Sequence, residues 1–177
     1  MTRFSALAQF NFDHFDLWLS RRFGKITGVP VTHVDSIQFL TGMQVRPYQE
    51  SIVIIEKIQN QKAWIIDGYG PLDILEKRLA LADMIIFIDF PIWKHYWWCT
   101  KRQIIGIWRL RQELPPGCSE NSWSQTLKLF KTIWKVHRQM RPEMIRILNR
   151  EKLARKVIWV RTQSEWNGLF KRGVGSE

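Results

Sequence analysis

The sequence predicts an α/β fold with a parallel sheet, and the segment Ala63–Trp93 carries that prediction. Two apolar runs, Trp64-Ile65-Ile66 and Met84–Ile88, show no polar alternation, which suits strands buried on both faces. Between them Leu72–Leu81 places Leu72, Leu75, Leu79 and Ala82 at helical spacing. Strand, crossover helix and parallel strand make a βαβ unit, which is nearly always right-handed. Ligands bind beyond the carboxyl ends of such strands, where Asp67 and Asp89 follow the two runs. Asp67 is read as a site carboxylate. Asp89 is read first as a residue that ends its strand before Pro91.

The remaining elements follow from apolar spacing and from glycine and proline. Phe4–Phe10 is a candidate first strand. Phe12–Phe23 has Phe15, Leu19 and Phe23 on one side of a helix that Gly24 or Gly28 can close. Pro30–Asp35 reads as a second strand ending in Asp35, and Gly42 and Pro47 bracket a loop holding Arg46. Tyr48–Asn60 is a helix with Ile52, Ile55 and Ile58 inward. Trp93–Trp108 reads as a long helix, and the Leu114–Glu120 segment, with two prolines and a glycine, breaks the chain. Ser122–Arg138 resumes with Trp123, Leu127, Phe130 and Trp134 on one face and Lys128, Lys131, Lys135 and Arg138 on another. Pro142 ends or restarts that helix. Lys156–Arg161 is a last strand, Ser164–Phe170 a closing helix, and the tail from Lys171 is expected to fray.

A chain of 177 residues supports one domain with a full core. Its apolar stretches are broken by Asp89, Lys94 and Lys101, so no membrane span is expected and the reading is a cytoplasmic protein. Cys99 and Cys118 form neither a disulfide framework nor a zinc spacing. The charge is uneven: 9 Lys/Arg against 10 Asp/Glu through Phe90, then 18 against 6. Such a basic second half points to a polyanionic partner, either phosphorylated small molecules or nucleic acid. The lysine stripe is read first as a solvated face. His14, His33, His95 and His137 lack metal-ligand spacing and are read as structural or surface residues. Trp93, Trp97, Trp98 and Trp108 are expected to pack in the core rather than stack on bases beside Lys101 and Arg102.

Several short segments occur in a recognisable order: VPVTHVD (Val29–Asp35), AWIIDGY (Ala63–Tyr69), RLALADMIIFIDFPIW (Arg78–Trp93), Lys101-Arg102, GCSE (Gly117–Glu120), Arg141-Pro142 and VIWVRTQSEW (Val157–Trp166). Over roughly residues 23–170 the chain resembles the adenylate-kinase-like P-loop kinases of the DNA topology modulation type. The resemblance implies a three-layer sandwich with a five-stranded parallel sheet, a basic helical lid at about 102–141, and ATP-dependent phosphoryl transfer to a nucleotide or other small acceptor. It implies that Asp67 holds Mg²⁺ through water, beside the phosphates of ATP. It likewise implies that Asp35 orients the acceptor, that Arg46 and Arg78 meet the acceptor's anionic groups, and that Arg102 contacts the donor nucleotide. Arg109, Arg111, Arg138 and Arg141 would clamp the transferring phosphoryl group, whose transfer depends on positioning and charge stabilisation.

The chain departs from this pattern at one place. A phosphate loop needs G-x-x-x-x-G-K-[ST] between the first strand and helix, so that backbone N–H groups, a lysine and a hydroxyl meet the phosphates and Mg²⁺. Gln9–Trp18 contains no glycine, lysine, serine or threonine, and Asp16 falls where the lysine belongs. Three explanations stand together: a relative that lost ordinary ATP handling, a ligand held by the lid and Asp67 alone, or a first twenty residues that are not the natural start. The alternative function is a non-catalytic nucleotide- or nucleic-acid-binding protein.

Overall fold

The computed structural model describes residues 3–8, 14–41, 44–105 and 123–173. Five strands form one sheet: β1 (Arg3–Ala8), β2 (Val31–His33), β3 (Trp64–Asp67), β4 (Met84–Ile88) and β5 (Val157–Val160). All pair in parallel in the order β2-β3-β1-β4-β5. The predicted α/β class and the five-stranded parallel sheet are therefore present. β1 lies at the centre, and β3 and β4 flank it.

Helices cover both faces because successive residues of a strand point to opposite sides. One core contains Leu7, Trp64, Ile66, Ile85 and Phe87, covered by α3 (Tyr48–Gln59), α4 (Leu72–Leu81) and α7 (Arg141–Leu148). The other contains Phe4, Ala6, Ile65, Ile86 and Ile88, covered by α1 (His14–Thr27) and α9 (Gln163–Gly173). Phe23 of α1 stacks on Phe4 at 4.8 Å. Helix α1, after β1, and helix α4, after β3, thus lie on opposite faces. In open α/β sheets such a divergence between neighbouring strands, here β1 and β3, marks the carboxyl-end crevice where ligands bind.

Local chemistry explains several boundaries. Helix α1 runs through Gly24 and stops at Gly28, whose φ of 67° is the left-handed geometry that ends helices. β2 is shorter than expected: the chain turns into a short helix, α2 (Val34–Gln38), so Asp35 sits in a helical first turn rather than at a strand end. The central βαβ unit has the expected strands and helix, with Leu75, Leu79 and Ala82 buried. Leu72, the first residue of α4, is instead 52 % exposed. Helix α9 begins with a capping box: the N–H groups of Arg161 and Thr162 donate to Glu165 Oε2, and the Glu165 N–H donates to Thr162 Oγ1 at 3.1 Å. Helix α9 continues to Gly173, past the expected fraying point. A one-turn helix, α8 (Glu151–Ala154), precedes β5.

Beyond β4, α5 (Ile92–Ile105) packs on α6 (Trp123–Lys135) through Ile92, Tyr96, Cys99, Leu129, Phe130 and Ile133. The tryptophan expectation needs correction here. Trp98 does pack, edge-on to Phe90 at 5.2 Å, but Trp93 and Trp97 are 60 % and 61 % exposed. The partner helix covers the Tyr96 and Cys99 side of α5 and leaves the Trp93–Trp97 stripe outward. Trp108, the fourth of these tryptophans, lies outside the described residues.

Helix α6 leads into a π-helical turn, Val136–Met140, before α7. Pro142 supplies the reason. Its ring and missing N–H disturb the turn before it, and widening that turn relieves the clash. The Arg141 N–H accordingly reaches back five residues to the Val136 carbonyl.

Candidate functional site

Asp67 ends β3 beside the crevice and is 3 % exposed. It shares a strand face with Ile65, so its carboxylate points toward α1. There Ser20, itself fully buried, donates its hydroxyl to Asp67 Oδ2 at 3.3 Å. His33 is the residue paired with Asp67 across the β2–β3 ladder, and its Nδ1 lies 3.1 Å from the same oxygen. A carboxylate only accepts, so the His33 Nδ1 carries a proton and donates it to this oxygen. The second carboxylate oxygen, Oδ1, is buried and has no hydrogen-bond partner among the described residues. A buried charged oxygen without a partner is costly and calls for an explanation, such as an ion or bound water.

The loop after Asp67 is built to hold this carboxylate still. Gly68 and Gly70 have φ of 106° and 69°, conformations that side chains resist. A Cβ on Gly70 would also meet Val34 Cγ1 at 3.2 Å. The Gly68 N–H donates to the Ala6 carbonyl at 3.1 Å, tying the loop to β1. Arg78 reaches back from α4, and its Nη2 donates to the carbonyls of Gly68 at 2.7 Å and Tyr69 at 2.9 Å. It is 1 % exposed. Burial lowers its pKa to about 10, opposed by Asp67 and Tyr69, so the guanidinium stays charged at neutral pH. Arg78 therefore acts on the loop backbone as a positioning residue.

Asp89, after β4, is also buried, but arginine satisfies it. Arg141 Nε donates to Oδ1 at 2.7 Å and Nη2 to Oδ2 at 3.0 Å, while Arg161 Nε lies 3.9 Å from Oδ2. The hydrogen bonds to Asp89 raise the Arg141 pKa above the ordinary guanidinium value. Asp89 thus does more than precede Pro91: it anchors the first residue of α7 to the sheet. His95 lies nearby in α5, 1 % exposed, with Nε2 donating to the Phe90 carbonyl at 3.2 Å. Burial lowers its pKa to about 4, and it keeps the structural role expected of it.

The other expected site residues are dispersed. Arg46 Nε donates to the Ile37 carbonyl at 2.7 Å, and Nη1 lies 3.5 Å from Glu50 Oε2. Asp35 is half-buried in α2. Arg138 is exposed in the π turn, its guanidinium carbon 4.8 Å from the Trp134 ring centroid. Arg109, Arg111 and the side chain of Arg102 lie outside the described residues. So do Gln9–Asp13, the segment that joins β1 to α1, and Cys118.

The structure therefore brings together Asp67, Ser20 and His33, with Arg78 behind them. The sequence reading does not single out Ser20 and takes His33 as a structural or surface residue, although the parallel strand register places His33 beside Asp67 once the two strands are paired. No three His, Cys, Asp or Glu side chains among the described residues gather as a metal cage. No described helix is long and apolar enough to cross a membrane. In comparisons with known proteins, no family model matches the chain and no curated protein matches it.

Proposed function

We propose that the chain is a P-loop-kinase-like protein that binds a magnesium nucleotide at the carboxyl ends of β1 and β3 and transfers a phosphoryl group to a small acceptor. The observation that carries this reading is Asp67 Oδ1, a buried carboxylate oxygen without a partner among the described residues, at the crevice of a parallel sheet. A magnesium site of this kind needs one or two carboxylates, with substrate phosphates and water completing the octahedron. Asp67 fits that demand: Oδ2 is held by Ser20 and His33, and Oδ1 remains for a metal-bound water. The ion, when bound, neutralises charge on the phosphates. Asp35 and Arg46 are assigned to the acceptor, Arg102 to the donor nucleotide, and Arg109, Arg111, Arg138 and Arg141 to the transferring group. Arg141 would serve while held by Asp89, with a third of its side chain exposed.

One observation favours a second reading, nucleotide binding without turnover. Gln9–Trp18 lacks the glycines, lysine and hydroxyl of a phosphate loop. Calorimetric titration with ATP and Mg²⁺ tests both readings. Micromolar, Mg²⁺-dependent binding that is lost in Asp67→Asn supports the site. Release of ADP in the presence of candidate acceptors then separates transfer from binding alone. No heat up to millimolar ATP would sink both.

A further inference from the structure

We propose that the outward face of α6 is a binding surface for single-stranded nucleic acid. Lys128, Lys131 and Lys135 are exposed there, and Arg138 of the π turn extends the row. From Asn121 to Pro142 the sequence contains no acidic residue. The surface offers cations without internal salt-bridge partners from its own helix. Within it stands Trp134, 51 % exposed, with the Arg138 guanidinium stacked at 4.8 Å from its ring centroid, and Leu127 is 59 % exposed two turns away. A large aromatic ring left in water, stacked by one guanidinium and on a helix with three exposed lysines, is the arrangement that binds a sugar-phosphate strand and stacks its bases.

The same pattern recurs on the neighbouring helix. Trp93, Trp97 and Lys101 are exposed at successive turns of α5. The aromatic component favours unpaired bases over duplex, whose bases are already stacked. It also argues against a lipid surface. An interfacial helix lays a broad apolar face on the membrane, whereas the apolar face of α6 (Leu129, Phe130, Ile133) is turned onto α5. This surface does not involve Asp67, and of the residues assigned to the nucleotide site it shares Arg138 alone, so Trp134, Lys131 and Lys135 test it separately from that site.

Fluorescence anisotropy of a labelled oligothymidylate, about 20 nucleotides long to cover a typical site, tests the proposal on the full chain. Micromolar binding is expected, tighter than for a duplex of equal length, without a requirement for Mg²⁺ and unchanged in Asp67→Asn. Four phosphate contacts give a slope of log affinity against log salt of about −3. Trp134→Ala should weaken binding about tenfold. Lys131→Glu combined with Lys135→Glu should weaken it further and flatten the salt slope. Circular dichroism checks that these surface variants fold. Absence of binding at low salt would overturn the proposal. So would equal affinity for duplex, or an unchanged affinity in Trp134→Ala, either of which leaves only a generic basic surface. Binding to anionic phospholipid vesicles with no binding to the oligonucleotide would assign the face to membranes instead.

Discussion

Arg141 grips Asp89 with two parallel hydrogen bonds, Nε to Oδ1 at 2.7 Å and Nη2 to Oδ2 at 3.0 Å. The π turn makes this contact, because the bond from the Arg141 N–H to the Val136 carbonyl sets the phase at which α7 begins. A proline one residue further on thus helps to tie the α6–α7 helical segment to the end of β4.

Removing Arg141 should be expensive. Asp89 has a side chain 2 % exposed and would stay buried without the two hydrogen bonds that Arg141 donates to it. Arg141→Ala is expected to cost about 3 kcal/mol, at the lower end for buried pairs because the arginine is partly exposed. The double variant Asp89→Ala/Arg141→Ala should be less destabilised than the sum of the two single ones. Urea denaturation measures all three. A loss of under about 0.5 kcal/mol in Arg141→Ala, the size of an ordinary surface change, would show that the pair is not a structural tie.

The pH dependence of stability should carry the signature of His95. The unfolded chain takes up its proton near 6.5, and burial lowers the folded value to about 4. Between these values the unfolded state binds more protons than the folded one, so stability falls as pH drops from about 6.5 to about 4 and levels off below. The full contribution is on the order of 3 kcal/mol. Burial shifts His137 in the same direction, so its effect adds to the slope. In His95→Phe, the slope of unfolding free energy against pH should shrink to what His137 and the carboxylates supply. Equal slopes in the two proteins would mean that His95 charges in the folded state.

The sequence made the centre of this molecule legible and its periphery less so, for physical reasons. Trp64–Asp67, Leu72–Leu81 and Met84–Ile88 could be read directly, because strands buried on both faces are continuously apolar and the helix between them needs a stripe. The Trp93 and Trp97 environments could not be, since which side of α5 is covered depends on how α6 lands. His33 was passed over because its partner is 34 residues away and becomes a neighbour only through strand register. Arg78 was read toward a ligand because its sequence context shows charge but not burial; the structure directs it to two backbone carbonyls.

Two aspartates end the two strands that flank β1, and their opposite hydrogen-bonding predicts opposite responses to neutralisation. Both Asp89 oxygens are held by Arg141. Asp89→Asn loses a charge-assisted pair and should destabilise the protein by about 2 kcal/mol. Asp67 leaves Oδ1 buried without a hydrogen-bond partner among the described residues, so its charge is met less fully than that of Asp89, through space by Arg78 rather than by a direct pair. Asp67→Asn keeps an oxygen for Ser20 and His33 and removes the buried charge. Its stability should be unchanged or higher by about 1 kcal/mol, the trade expected when a group is retained for binding rather than for folding. Thermal unfolding with and without Mg²⁺ and ATP checks both limbs. Wild type should gain stability on adding the ligands, as mass action requires of a binder, and Asp67→Asn should not. A clear loss of stability in Asp67→Asn, with no ligand effect in wild type, would make Asp67 a structural residue like Asp89 and leave the crevice without its site.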